Sequence, residues 1–106
     1  MMFAFLKNIF ASRQLDYPTL IGRGAVIIDV RAPNEFASGH VKNALNIPLV
    51  EIQNHFVKLK RNEKPIIACC SSGARSGRAT KILIDAGIET YNGGSWTQVK
   101  NALANL

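Results

Sequence analysis

"PIIACCSSGARSGRATKILIDAG", residues 65–87, decides the fold. Pro65 opens a short apolar run, PIIAC (65–69), of the length and character of a buried strand. Small residues follow, and then Ala79, Ile82, Leu83 and Ala86 recur at i, i+3, i+4 and i+7, with Gly87 as the stop. The order is strand, tight loop, helix. The same grammar extends to both sides. AVIIDV (25–30) is a second continuous apolar run, and VEIQNHFVKLKR (50–61) sets Ile52, Phe56 and Leu59 at helical spacing with charges gathered toward its end. IETY (88–91) predicts a further strand. SWTQVKNALANL (95–106) predicts a closing helix with Trp96, Val99 and Leu103 on one stripe under a Ser95 cap. Alternating strands and helices give an α/β domain with a mainly parallel sheet.

The chain of 106 residues suits one domain with a real core. Hydrophobic residues make up 47% and charged ones 19%, with no repeat or low-complexity tract, which argues against disorder. The net charge of +6 favours anionic partners. Because the thirteen Lys and Arg are spread along the chain, with no zinc-finger spacing and no aromatic-and-basic motif, nucleic acid is not the expected partner. A small anion fits better. The opening MMFAFLKNIFAS is apolar, but Lys7 interrupts it, no basic residue precedes it, and it is too short to span a bilayer. Phe3, Leu6 and Phe10 fall on one helical face, so an amphipathic helix packed on the domain or on a partner is expected over a processed or membrane-surface segment, with no integral membrane span and a cytoplasmic location.

Cys69 and Cys70 are adjacent, so they cannot staple distant segments, and a disulfide between them would be strained. Chemistry is the better reading. Ligands of parallel sheets collect at the carboxyl ends of strands, which is where both thiols fall. Residues 71–75 are mostly small, so successive N–H groups can turn inward and form an anion nest, backed by the positive end of the next helix. Such surroundings hold a cysteine as thiolate. Arg75 adds a fixed charge and a planar donor fork. Counted from Cys70, four residues precede Arg75; counted from Cys69, five do.

CSSGARS (70–76) resembles the C-x-x-G-x-R-S active-site loop of the rhodanese-like sulfurtransferases. DVRAPNEFASGHVKNALNIP (29–48) is similar to that family's upstream signature, and NGGSW (92–96) to its closing Gly-Gly-x-Trp element. The matches run in family order from about residue 25 to 96. The resemblance implies a rhodanese-like α/β fold, a small mainly parallel sheet flanked by helices; the single domain is expected over residues 16–106, and residues 1–15, which have no counterpart in the family's minimal domain, form the N-terminal amphipathic helical extension. Asn43 stands where relatives often have glycine, and asparagine tolerates the left-handed turn such a position needs.

The resemblance also implies a persulfide on Cys70, which lies five residues after Pro65 as the family's nucleophile commonly does. Ser71, Ser72, Gly73, Ala74, Arg75 and Ser76 would cradle the extra sulfur. Thiosulfate or a persulfide would be the anionic donor, and a thiol, cyanide or a protein cysteine the acceptor, with no cofactor. Cys69 is then a small buried hydrophobe or a resolving thiol. Two rival functions stay open: a phosphatase or arsenate reductase with Cys-x5-Arg spacing that uses Cys69, and a non-catalytic binding or regulatory module. Asp29 and Arg31 share a strand face and are expected to order the site by hydrogen bonding and ion pairing. His40 and His55 pair with no cysteine motif as a metal site would require. The reading demands amides aimed at the Cys70 sulfur and a route to that sulfur from solvent.

Overall fold

Five consecutive buried residues, Ile66–Cys70, form the central strand β3 of a four-stranded sheet. The computed structural model describes residues 15–106, so the helix expected over Phe3, Leu6 and Phe10 lies outside the described residues. In chain order the elements are α1 (Tyr17–Gly22), β1 (Val26–Asp29), α2 (Pro33–Ala37), β2 (Leu45–Asn46), a 3-10 helix (Leu49–His55), α3 (Phe56–Asn62), β3, α4 (Ala74–Asp85), β4 (Thr90–Ser95) and α5 (Trp96–Ala104). The sheet order is β2-β1-β3-β4, and every pairing is parallel. Parallel neighbours need crossovers, and the helices that supply them cover both faces. The expected small parallel sheet flanked by helices is what the chain forms.

The period of two along the strands divides the core. On one face Ile28 and Val30 of the β1 segment and Ile66 and Cys70 of β3 pack with Ile52, Leu59, Ala79 and Leu83. On the other, Ile27, Ile67 and Cys69 pack with Tyr17, Leu20 and Val99. Each fully buried Ile or Val contributes about 1.5–3 kcal/mol by leaving water. The two cysteines thus serve different cores, one above the sheet and one below.

Three elements depart from the sequence reading. The helix expected over 50–61 begins as the 3-10 helix, because Leu49 N–H is drawn to the Val30 carbonyl at 3.0 Å and ties the first turn to the sheet. The last strand begins at Thr90 and not at Ile88, whose N–H closes α4 by bonding the Leu83 carbonyl at 2.9 Å. That strand then runs through Asn92, Gly93 and Gly94, where the pairing with β3 slips by one residue between Ala68 and Cys69. A side chain at Gly93 would sit 2.6 Å from the Val99 Cγ2 atom, so glycine is what lets the bulge close. Finally, β3 extends through Cys70, one residue beyond the expected end. The Ser95 cap is as expected: Ser95 Oγ accepts from Gln98 N–H at 3.1 Å, and Gln98 Oε1 accepts from Ser95 N–H at 2.9 Å. Asn43 adopts φ 69°, in the left-handed region.

Candidate active site

At the carboxyl end of β3 the chain turns through Ser71, Ser72 and Gly73 into α4, and Gly73 makes the turn with φ 100°. The turn wraps its amides around one atom. Gly73 N–H donates to Cys70 Sγ at 3.0 Å, Ser76 N–H lies 3.4 Å from it, and Ser76 Oγ lies 3.4 Å away on the same side. Burial pushes the Cys70 thiol up, but the Ser76 hydroxyl and the amides of Ser76, Ser72 and Gly73 more than offset this, and the thiol titrates below its ordinary value.

Cys69 is placed oppositely. Its side chain points to the other core, and burial, with the charge of Asp29, pushes the thiol up to about 12. No loop amide reaches its sulfur among the described residues.

Arg75 does not aim its fork into the loop. It donates to both carboxylate oxygens of Glu35, at 2.7 and 3.0 Å, and to Ser71 Oγ at 2.9 Å. The side chain therefore ties the loop to α2. Glu35 also accepts from Ala32 N–H at 3.0 Å, and these bonds, that from Arg75 foremost, lower its carboxyl to about 2. Asp29 and Arg31 form a buried bidentate pair, with Arg31 Nη2 donating to Asp29 Oδ2 at 2.7 Å and to the Gly39 carbonyl at 2.6 Å. The Arg31 guanidinium lies 5.1 Å from the Trp96 ring centroid. With Nε and Nη2 bonded to Asp29 and to the Gly39 carbonyl, this arginine braces the end of β1 beside Cys69, its partner in register being Asp29. His40 is satisfied by stacking on Phe36, at a centroid separation of 3.7 Å, and by the Phe36 carbonyl at 2.7 Å from Nδ1.

Two site residues escaped the sequence reading. Glu35 stood within the Glu-Phe motif, and Asn92 within NGGSW, but neither motif shows what its residue touches. Asn92 Nδ2 donates to the Gly73 carbonyl at 3.1 Å, and its Oδ1 accepts from Ser76 Oγ at 2.7 Å, which binds the loop to β4. The required route to the sulfur is closed in this conformation: Cys70 is 0% exposed, while Ser71 and Ser72 just beyond it are exposed. The physical reason is that the same close wrapping that brings amides to the sulfur also covers it. A donor must displace part of the loop to reach it.

Among the described residues no helix is long and apolar enough to cross a membrane. The chain is 44% identical over 71 residues to the uncharacterized protein YqhL of Bacillus subtilis, which covers 66% of this chain and 56% of that one. It is 33% identical over 76 residues to the thiosulfate sulfurtransferase PspE of Escherichia coli, covering 71% and 65% respectively. The chain thus spans less than two thirds of the length of these relatives. A solved structure described as rhodanese with anions from E. coli superposes with a TM-score of 0.64 at 30% identity, over 70% of this chain and 89% of that one. Residues 14–102, which hold both core faces and the whole amide-lined loop, match the rhodanese-like domain, and the chain belongs to that family.

Proposed function

We propose that the protein is a sulfurtransferase that carries a sulfane sulfur as a persulfide on Cys70. The observation that carries this reading is the convergence of the Gly73 and Ser76 amides on Cys70 Sγ, at 3.0 and 3.4 Å. The Cys70 thiolate attacks the outer sulfur of thiosulfate; the sulfur–sulfur bond of the donor breaks, and its electron pair departs with sulfite. The enzyme now holds Cys70–S–S⁻, whose terminal charge the loop amides and the Ser71, Ser72 and Ser76 hydroxyls are suited to receive. A thiol, cyanide or a protein cysteine then attacks that terminal sulfur and returns Cys70 as thiolate. Sulfite and thiolates leave readily, so no general acid is required. This fits a site in which Asp29 and Glu35 are both held in ion pairs.

The naming of moderately similar relatives as thiosulfate sulfurtransferases supports the same chemistry. Against a phosphatase or arsenate reductase built on Cys69 stand the position of that thiol on the far face of the sheet and its high titration point. A binding module would have no need of a lowered thiol on which the Gly73 and Ser76 amides and the Ser76 hydroxyl converge. Two free thiols suit a reducing compartment such as the cytoplasm.

Mass spectrometry after exposure to thiosulfate tests the reading. The expected result is a single added sulfur on the peptide at Cys70, removed by cyanide with release of thiocyanate. An adduct confined to Cys69, or no adduct with thiosulfate or any persulfide donor, overturns it.

A further inference from the structure

The Ser76 hydroxyl has one proton and competing acceptors. Its oxygen lies 2.7 Å from Asn92 Oδ1 and 3.4 Å from Cys70 Sγ, a hydrogen-bond separation for an atom as large as sulfur; the Gly94 carbonyl stands further off at 3.5 Å. With the hydroxyl given to Asn92, the oxygen is left to accept from a Cys70 S–H. That is the arrangement for a neutral thiol. A thiolate has no proton to give and needs the hydroxyl for itself.

Asn92 is held so that it can release that proton at small cost. Its Oδ1 also accepts from Gly94 N–H at 3.0 Å, and its Nδ2 donates to the Gly73 carbonyl at 3.1 Å. These two bonds fix which end of the amide is which. They also remain when the hydroxyl turns away. The bulge at Gly93 sets the geometry: Asn92 pairs with Ala68 and so shares the face of Cys70, and the extra residue returns Gly94 N–H to the same amide oxygen.

Deepening the reading of Cys70 as the nucleophile, and resting on it, we propose that Asn92 is a positioning residue that competes with the Cys70 sulfur for the Ser76 hydroxyl proton. When Cys70 loses its proton, to water admitted as Ser71 and Ser72 move aside, the Ser76 O–H rotates from Asn92 to the sulfur, and no other bond of Asn92 breaks. The amide thereby stabilises the resting thiol and limits the fraction of thiolate. The charged and titratable groups around Cys70 are few. Arg75 on α4 feels its charge and is itself paired with Glu35; Cys69 lies on the opposite face beside the Asp29–Arg31 pair; Asn92 to Ser95 of β4 carry no charge.

The test is a double-mutant cycle read by thiolate absorbance against pH, confirmed by the pH dependence of Cys70 alkylation. Cys69, titrating at about 12, contributes no thiolate in the useful range. Asn92→Ala is expected to lower the Cys70 midpoint by about half a unit, giving about threefold more thiolate at a fixed pH below it. In the Ser76→Ala background the same substitution is expected to lower the midpoint no further, because only the loss of the Asn92 bond to the Gly73 carbonyl remains. Asn92→Asp, whose carboxylate holds the hydroxyl harder, is expected to raise the midpoint, and to raise it less without the Ser76 hydroxyl. This second variant carries the test where Asn92→Ala does not fold. Shifts of equal size in both backgrounds, or a midpoint raised by Asn92→Ala, overturn the proposal. The readout does not depend on sulfur transfer, so a cycle that behaves as expected in a protein that takes up no sulfur from thiosulfate or any persulfide donor sinks the proposed function and leaves this inference standing.

Discussion

Glu35 and Arg75, 40 positions apart in the chain, meet in a two-pronged ion pair at 2.7 and 3.0 Å. The arginine that the loop motif places nearest to a substrate anion is therefore spent on structure: it fastens the first turn of α4 to α2, and through Ser71 it fastens the loop itself. Removing the carboxylate frees the guanidinium and loosens the amides around Cys70. Glu35→Gln is expected to lower the rate of sulfur transfer on the order of tenfold, since small misplacements of a preorganised site are costly. Thiocyanate production by the purified variant checks this, with an unchanged rate as the contrary result.

The same pair sets an acid limit. Glu35 is lowered from 4.5 to about 2, first by the hydrogen bond from Arg75 and then by Ala32 N–H. A carboxyl whose folded value is depressed stabilises the fold fully above its unfolded value and loses that contribution as pH falls through the folded one. The window runs from about pH 4.5 down to 2. Glu89, held by Arg23 first and then by Tyr91, is lowered to about 2 as well and shares the window. Thermal melts of wild type and Glu35→Gln are expected to differ by a constant amount above pH 5 and to converge as pH approaches 2. A difference that changes between pH 6 and 8 contradicts the assignment.

Cys69 and Cys70 are neighbours that the strand period sends to opposite cores, so their substitutions separate chemistry from packing. Cys70→Ser is expected to abolish thiocyanate formation, and Cys69→Ser to retain most of it. The second variant is not free of consequence. It puts a hydroxyl into an apolar cluster with no solvent contact, at a cost of about 1–3 kcal/mol where the hydroxyl finds no partner. Urea denaturation measures that cost; an inactive but equally stable Cys69→Ser protein would show that the far thiol takes part in the reaction.

What the sequence disclosed follows from the range of its signals. β1, β3 and α4 were legible because continuous apolar runs and the 3.6-residue period are local. The Ser95 cap and the left-handed Asn43 were legible because a single residue type carries each. The helices α1 and α2 have only six and five residues, too few for a period to show. The course of β4 was hidden for a different reason. Asn92-Gly93-Gly94 lies beyond the strand that IETY predicts, and it becomes strand only because Gly93 fits against Val99 and Ile67, which is a tertiary fact. Glu35–Arg75 and Ser76–Asn92 span 40 and 16 positions, and no spacing rule joins them. The loop motif marked the sulfur without revealing that the loop also covers it.

The glycines of the described region divide by what a methyl group would meet. At Gly93 an added Cβ would fall 2.6 Å from Val99 Cγ2, 2.9 Å from Ile67 Cγ2 and 3.2 Å from the Ala68 carbonyl oxygen. Both side chains are fully buried and cannot withdraw. Gly93→Ala is expected to destabilise by about 1–3 kcal/mol through overpacking. Gly22 ends α1 with nothing within 4 Å and ordinary backbone angles, so Gly22→Ala is expected to stabilise by about 0.4–1 kcal/mol by restricting the unfolded chain. Parallel denaturation curves check the pair, and a shift of the same sign in both variants would contradict this account.

Because Cys70 is wholly covered while its thiol is lowered, reactivity and access are set by different parts of the loop. The thiolate fraction follows the hydrogen bonds from Ser76, Ser72 and Gly73; access follows how far Ser71 and Ser72 can move. A reagent too large to enter must wait for the loop to open, whereas a small one needs a smaller displacement. The reaction of Cys70 with iodoacetamide is therefore expected to track thiolate concentration as pH rises, while a bulky aromatic disulfide should react more slowly and reach a rate that no longer depends on reagent concentration, limited by opening. Glu35→Gln, which releases the Arg75 tie on the loop, is expected to raise that limiting rate by several-fold and to change the iodoacetamide rate much less. Stopped-flow traces with both reagents at several concentrations decide it. A bulky reagent that reacts in strict proportion to its concentration, at the rate of the small one, would mean that the sulfur stands open in solution.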